Sequence, residues 1–210
     1  MNRKLLKRIL VTSAIAVLGV STSFAALVTE RDQSVDTAPS VGMYRYQVPT
    51  ELQGTYNSAG VANLTASMEK EPNTLSMNVA HVKGNPSESY VVEVYKDLAA
   101  IETHRKSDHY QAFVNEVGSK LTNRKMYDVQ SVLLFEKKDA LSIVNDGKAI
   151  VTLTEFTVNS NDIDTVQRQY QLDIERVVRD DAGYKAGYVL RERNVKNHWY
   201  VTVSYTHLRA

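Results

Sequence analysis

A fixed internal spacing limits this fold more than any other feature of the chain. Val48 recurs as Val158, Val79 as Val189, Tyr90 as Tyr200, Val91 as Val201 and Tyr95 as Tyr205, each pair 110 residues apart. Tyr46 matches Phe156 in kind at the same offset. One coinciding valine means little. A shared offset without gaps, carrying the same order of elements, predicts a tandem duplication.

Within the first copy, residues 43–48 alternate like a strand. Pro49 and Thr50 then open a helix reaching about Lys70, weakened by Gly54 and Gly60. Residues 74–82 alternate again, GNPSES reads as a turn, and residues 90–95 form the next strand. Asp97 is placed to cap a short helix and Ser107 a second, whose inner face carries Tyr110, Val114, Val117 and Leu121. Residues 125–137 read as one long strand. The order is β-α-β-β-α-β, a ferredoxin-like unit in the α+β class.

The second copy restarts with a strand over 149–158. Asn161 is placed to cap a helix with Ile163, Val166, Tyr170, Ile174 and Val177 on one stripe, stopped by Gly183. Strands over 184–192 and 198–203 follow. The counterparts of the second helix and last strand would fall beyond Ala210, so the second unit is expected to be truncated. The closing SYTHLRA also departs from the register of a helix opening.

The N-terminal segment has a different character. Residues 2–8 carry four positive charges and no acid, residues 9–20 are apolar but short, and Ser23-Phe24-Ala25 places small residues at a signal-peptidase site. Residues 1–25 are therefore expected to be a cleaved signal peptide, and the protein to be exported to the periplasm or secreted. Residues 26–41 read as a flexible linker, 42–138 as the first domain and 149–210 as the second, incomplete one. Removing 1–25 leaves 21 basic residues against 24 acidic ones, a net charge of −3. That balance gives no footprint for nucleic acid and no attraction to an anionic membrane. The absence of cysteine excludes disulfides, thiolate metal sites and cysteine nucleophiles.

Glu93-Val94-Tyr95, Ala100, His104, Asp108-His109 and Phe113 form a string that resembles the antibiotic biosynthesis monooxygenase family of dimeric α+β barrels. The resemblance covers residues 42–138 in element order and is specific in motif at 89–113. It implies that the open sheet face is covered by a second sheet, within the chain or in a homodimer. It also implies a small aromatic or quinol-like substrate and O2, with no cofactor. An electron-rich phenolate can itself reduce O2, so the protein need only bind, deprotonate and hold it.

On that resemblance His104 is the catalytic base. Tyr95, Asn78, Tyr46, His109 and Glu93 are the substrate-binding candidates. Each has a plainer reading: His104 as a helix-end residue bonded to carbonyls, His109 as a solvated one, Glu93 as a buried hydrogen-bonding carboxylate or a charge between sheets. Two departures bear on substrate. Polyketide-oxidising relatives have Asn at the position of Val91 and Trp at that of Tyr95. Haem-degrading relatives have Trp near His104 and an axial His at Val114. His104 and His109 lie five residues apart across a helix break with no carboxylate pair, so no metal site is expected. The sequence thus points to an exported, cofactor-independent monooxygenase acting on a quinol or similar phenol. The alternative is a non-catalytic binding or interaction module on the same fold.

Overall fold

The computed structural model describes residues 7–12, 39–137 and 150–205. The expected signal peptide lies outside that range apart from 7–12, as do the linker up to residue 38 and the last five residues. The first element is a short strand, β1 (Lys7–Thr12). The first unit then runs β2 (Ser40–Gln47), α1 (Gln53–Lys70), β3 (Thr74–Val82), β4 (Asn85–Tyr95), α2 (Leu98–Lys106), α3 (Asp108–Glu116), β5 (Thr122–Tyr127) and β6 (Val129–Glu136). The second runs β7 (Ile150–Thr157), α4 (Ile163–Asp180), β8 (Tyr184–Glu192) and β9 (His198–Tyr205). Each unit is an antiparallel sheet with helices on one face, the α+β ferredoxin-like arrangement that the element order predicts.

Local chemistry explains most of these elements. Asp97 caps α2, its carboxylate accepting from the Ala100 N–H at 2.8 Å. Ser107 ends α2 and caps α3, accepting from the Tyr110 N–H at 3.4 Å. α1 persists through Gly54 and Gly60 because Tyr56, Ala59, Gly60, Leu64 and Ser67 form one buried stripe. Tertiary packing here outweighs helix propensity.

Four expectations change in detail. The turn is only Lys83 and Gly84, with Gly84 at φ 82°; Asn85 and Ser89 already pair with Val82 and His81, across a shift in register. A two-residue hairpin turn with glycine at positive φ needs no longer loop. Asn161 is not the cap of α4: it lies in a 3-10 turn (Ser160–Asp162), and the helix starts at Ile163. The stripe of α4 closes on Val178, four residues after Ile174, rather than on Val177. The strand expected over 125–137 breaks at Asp128. Tyr127 still pairs with Met43 in the first unit, whereas Val129 pairs with Glu192 in the second.

That break ties the units together. The strand order is β5-β2-β4-β3 in one half and β7-β9-β8-β6 in the other, with β1 between β3 and β7. β5 and β6, at opposite ends of this order, are consecutive in the chain, so the sheets close on one another. β1 completes the symmetry. Ile9 pairs with Leu153 and Val11 with Val82. Allowing for the 110-residue offset, these are the places that Tyr127 and Val129 take against Met43 and Glu192. A strand from the N-terminal segment thus lies where the second unit's own closing strand would lie.

Alternation along the strands sorts side chains into two cores. Met43, Tyr90, Val92 and Val94 meet Leu153, Tyr188, Leu190 and Tyr200 between the sheets. The opposite face of the first sheet carries Met77 and Tyr95 against Leu64 and Ala100, and Val48 against Tyr56, Val117 and Leu121. On the second unit's helix side, Trp199 and Val189 pack against Ile174 and Val178. Among the described residues no helix is long and apolar enough to cross a membrane.

Candidate active site

The two helix-side cores differ in one consequential way. At position 60 the first unit has glycine; 110 residues on, the second has Tyr170, whose ring stacks on Phe156 at 5.2 Å. At position 89 the first unit has serine where the second has the fully buried Trp199. α4 is drawn so close to β8 that a Cβ on Gly187 would overlap the Ile174 side chain. In the first unit the corresponding space stays open. A cavity of about 70 Å3 lies between sheet and helices, lined by Tyr46, Tyr56, Gly60, Asn63, Met77, Glu93, Tyr110, Phe113 and Arg124. That is room for several waters, or for one small ring.

Glu93 is the acidic group in its wall. It projects from β4 on the same face as Val91 and Tyr95, toward the helices. The sequence left it open between a charge at the sheet interface and a buried carboxylate; the structure places it as the latter. Its Oε2 accepts from the Tyr95 hydroxyl at 3.0 Å. Burial pushes the carboxyl up to about 7, against the opposing influence of the Tyr95 bond and the Arg105 charge. A carboxyl so placed is part ionised at neutral pH and can take or return a proton.

The phenols around it are held neutral. Desolvation raises Tyr46 and Tyr110, and raises Tyr56 to about 12 even though Tyr56 shares a 2.8 Å hydrogen bond with Ser89. Asn63 Oδ1 is buried with no partner among the described residues. It is a hydrogen-bonding site in the cavity wall left for something other than the protein. Arg124 brings the positive charge, its guanidinium anchored by the carbonyls of Leu121 (3.1 Å) and Gly118.

The structure gathers only some of the sequence-predicted residues. Tyr46 and Glu93 line the cavity, and Tyr95 stands behind Glu93 as its donor. Asn78 faces the other way, into a smaller cavity of about 30 Å3 between the sheets, where its amide donates to Ser76 at 3.1 Å. His104 and His109 do not line the main cavity. His104 is fully buried, with Nδ1 3.1 Å from Glu71; His109 Nε2 is 2.6 Å from the same carboxylate oxygen. Burial lowers the His104 pKa although Glu71 works in the opposite direction. Its ring packs against Tyr110 (4.8 Å) and Tyr95 (5.7 Å), so it supports the cavity wall from behind. Tyr56, Asn63, Tyr110 and Arg124 were missed. Only Tyr110 had a signal in the sequence, as the first residue of the inner face of α3.

Comparison with known proteins falls on this half of the molecule. Residues 40–116 match the antibiotic biosynthesis monooxygenase family. Those residues carry a domain of that family. Among solved structures, the fold is similar to a candidate monooxygenase of Lactobacillus acidophilus, with a TM-score of 0.74 at 18% identity over 80% of this chain and 77% of that one. A candidate monooxygenase of Fusobacterium nucleatum gives a TM-score of 0.68 at 21% identity, over 81% and 76%. Both alignments extend beyond a single unit, so the two-unit arrangement is shared. No curated protein matches the chain in sequence. The family match covers most of the unit that holds Glu93 and the cavity; in the second unit Val203 stands at the position of Glu93, and Trp199 and Tyr170 stand where the first unit has Ser89 and Gly60.

Proposed function

We propose that the monooxygenase domain oxidises a small phenol or quinol with O2 in the Glu93 cavity, and that the protein is exported. The observation that carries the catalytic part is Glu93 itself: a proton acceptor near neutrality in a mostly apolar wall. Beside it are an unpartnered Asn63 oxygen and the Arg124 cation.

The chemistry follows from those groups. A substrate hydroxyl gives its proton to Glu93, while Asn63 and Arg124 hold the resulting polar edge. The phenolate passes one electron to O2. The radical pair joins as a carbon–oxygen bond, and the hydroperoxide loses water as Glu93 returns its proton. For a hydroquinone the sum is substrate plus O2 giving a hydroxyquinone and one water. All four electrons come from the substrate and O2 is reduced, so the reaction needs no further reductant. This reading moves the base from His104 to Glu93 and leaves His104 to position Tyr110 and Tyr95. The export proposal rests on the composition of residues 1–25 alone; the mass of the chain recovered from the periplasm tests it.

The activity test is oxygen uptake with one- and two-ring hydroquinones, beside Glu93→Gln and Gly60→Phe. Nothing lies within 4 Å of a Cβ at Gly60, so the phenyl ring has a place to go: the cavity. We expect uptake above the autoxidation blank, lost in both variants while both remain folded. Uptake equal to the blank, with substrate still raising the melting temperature, would identify the binding module instead.

A further inference from the structure

Outside the cavity, three ligating side chains converge from three separate elements. Glu71 follows the last residue of α1, His104 is in the last turn of α2, and His109 is in the first turn of α3. One nitrogen of each histidine and an oxygen of Glu71 all lie within 4.8 Å of one another. His104 Nδ1 is 3.1 Å and His109 Nε2 is 2.6 Å from Glu71 Oε1. Spacing along the chain does not reveal this set, because Glu71 lies far from the two histidines.

We propose that Glu71, His104 and His109 bind a single divalent transition-metal ion of the zinc class. Two imidazoles and a carboxylate suit such an ion. Tetrahedral bonds of about 2.0–2.1 Å would set the ligand atoms roughly 3.3 Å apart. From 3.1 and 2.6 Å the two carboxylate–imidazole distances would open by about 0.2 and about 0.7 Å, and the two nitrogens, within 4.8 Å of one another, would come to the same spacing.

Two further observations favour a cation over a simple hydrogen-bonded trio. First, the carboxylate is already oriented from behind: Thr74 Oγ1 donates to Glu71 Oε2 at 2.5 Å, while Oε1 faces His109 and both oxygens lie near His104 Nδ1, at 3.1 and 3.2 Å. Second, His104 Nε2 is buried without a partner. When Nδ1–H donates to Glu71, Nε2 is a bare acceptor with nothing to accept. A cation on Nδ1 moves that hydrogen to Nε2, toward the surrounding Tyr110 and Tyr95 rings, where N–H is the better-tolerated form. His109, with 15% of its side chain exposed, is the path by which an ion enters and the side from which water completes the shell. The ion would join the ends of α1, α2 and α3 behind Tyr110. Its presence does not depend on the activity proposed for the cavity.

The test uses the full chain without a histidine tag, stripped with a chelator and titrated with Co2+ while visible absorption is followed. We expect saturation at one equivalent, with the intense bands of a low-coordinate Co2+ site, bleached by one equivalent of Zn2+. His109→Ala, the least buried of the three positions, should weaken uptake more than about tenfold, as should Glu71→Gln. His198→Ala, at a separate histidine between Glu155 and Glu192, should leave uptake unchanged. Thermal melts of the metal-free variants separate lost ligation from lost folding. Absence of saturable uptake by the folded wild-type chain overturns the proposal, and so does equal uptake by folded His109→Ala.

Discussion

At the scale of single residues, Glu93 is the group whose chemistry the fold has changed most. Its pKa is raised from the ordinary carboxylate value to about 7, so the folded state holds a proton that the unfolded chain releases near pH 4.5. Stability from this group is therefore greatest at low pH and is lost as pH rises from about 4.5 to 7. The effect is at most about 3 kcal/mol at 1.36 kcal/mol per unit. Glu93→Gln should flatten that part of the stability–pH curve and raise stability above pH 7, read by urea denaturation at several pH values. In the wild type, oxygen uptake should instead rise with pH through the same range, as the carboxylate form appears. A pH-independent rate would exclude Glu93 as the base. Gly187 tests the closed unit in the same way. A methyl there would overlap Ile174, and Gly187→Ala should destabilise by about 1–3 kcal/mol. Trp199, the only tryptophan in the chain and fully buried in that unit, reports the loss directly by fluorescence.

At the scale of elements, α2 and α3 are short helices of nine residues each. Such helices are marginal alone and depend on their ends. Asp97 satisfies one amide of α2, and Ser107 serves both helices, its hydroxyl also donating to the His104 carbonyl at 2.7 Å. Asp97→Ala should cost about 1 kcal/mol, measured by chemical denaturation. Ser107→Ala should cost more than Asp97→Ala, because it frees groups at two helix ends. If the two variants prove equal, the double role of Ser107 is of no energetic consequence.

At the scale of the whole molecule, the pairing of β1 has a clear consequence. β1 covers the edges of both β3 and β7. The chain that signal cleavage would leave, beginning at residue 26, would expose those edges, and uncovered strand edges invite pairing with other chains. We expect that shortened chain to associate in a concentration-dependent way on size-exclusion chromatography, with a lower melting temperature than the full chain. A monomer of unchanged stability would mean that the sheets close without β1.

The amino-acid pattern by itself carried the architecture. Alternation along 43–48, 74–82 and 90–95, the capping residues Asp97 and Ser107, and the 110-residue offset are local or periodic signals. Local backbone preferences and the burial of one face set such signals, so they survive in one dimension. The break at Asp128 was not legible, because 125–137 reads as one strand and only pairing with two different sheets separates its two parts. The site was legible only in part. Glu93 and Tyr46 stood out as polar groups on strands, but the cavity exists because Gly60 and Ser89 leave space that Tyr170 and Trp199 fill in the other unit. The roles of the histidines changed for a similar reason. His104 and His109 were visible, yet their partner is Glu71, brought to them by the packing of α1 on the later helices. Space left empty and charges brought together from distant parts of the chain depend on side-chain volume and three-dimensional contact. No spacing along the sequence encodes either of them.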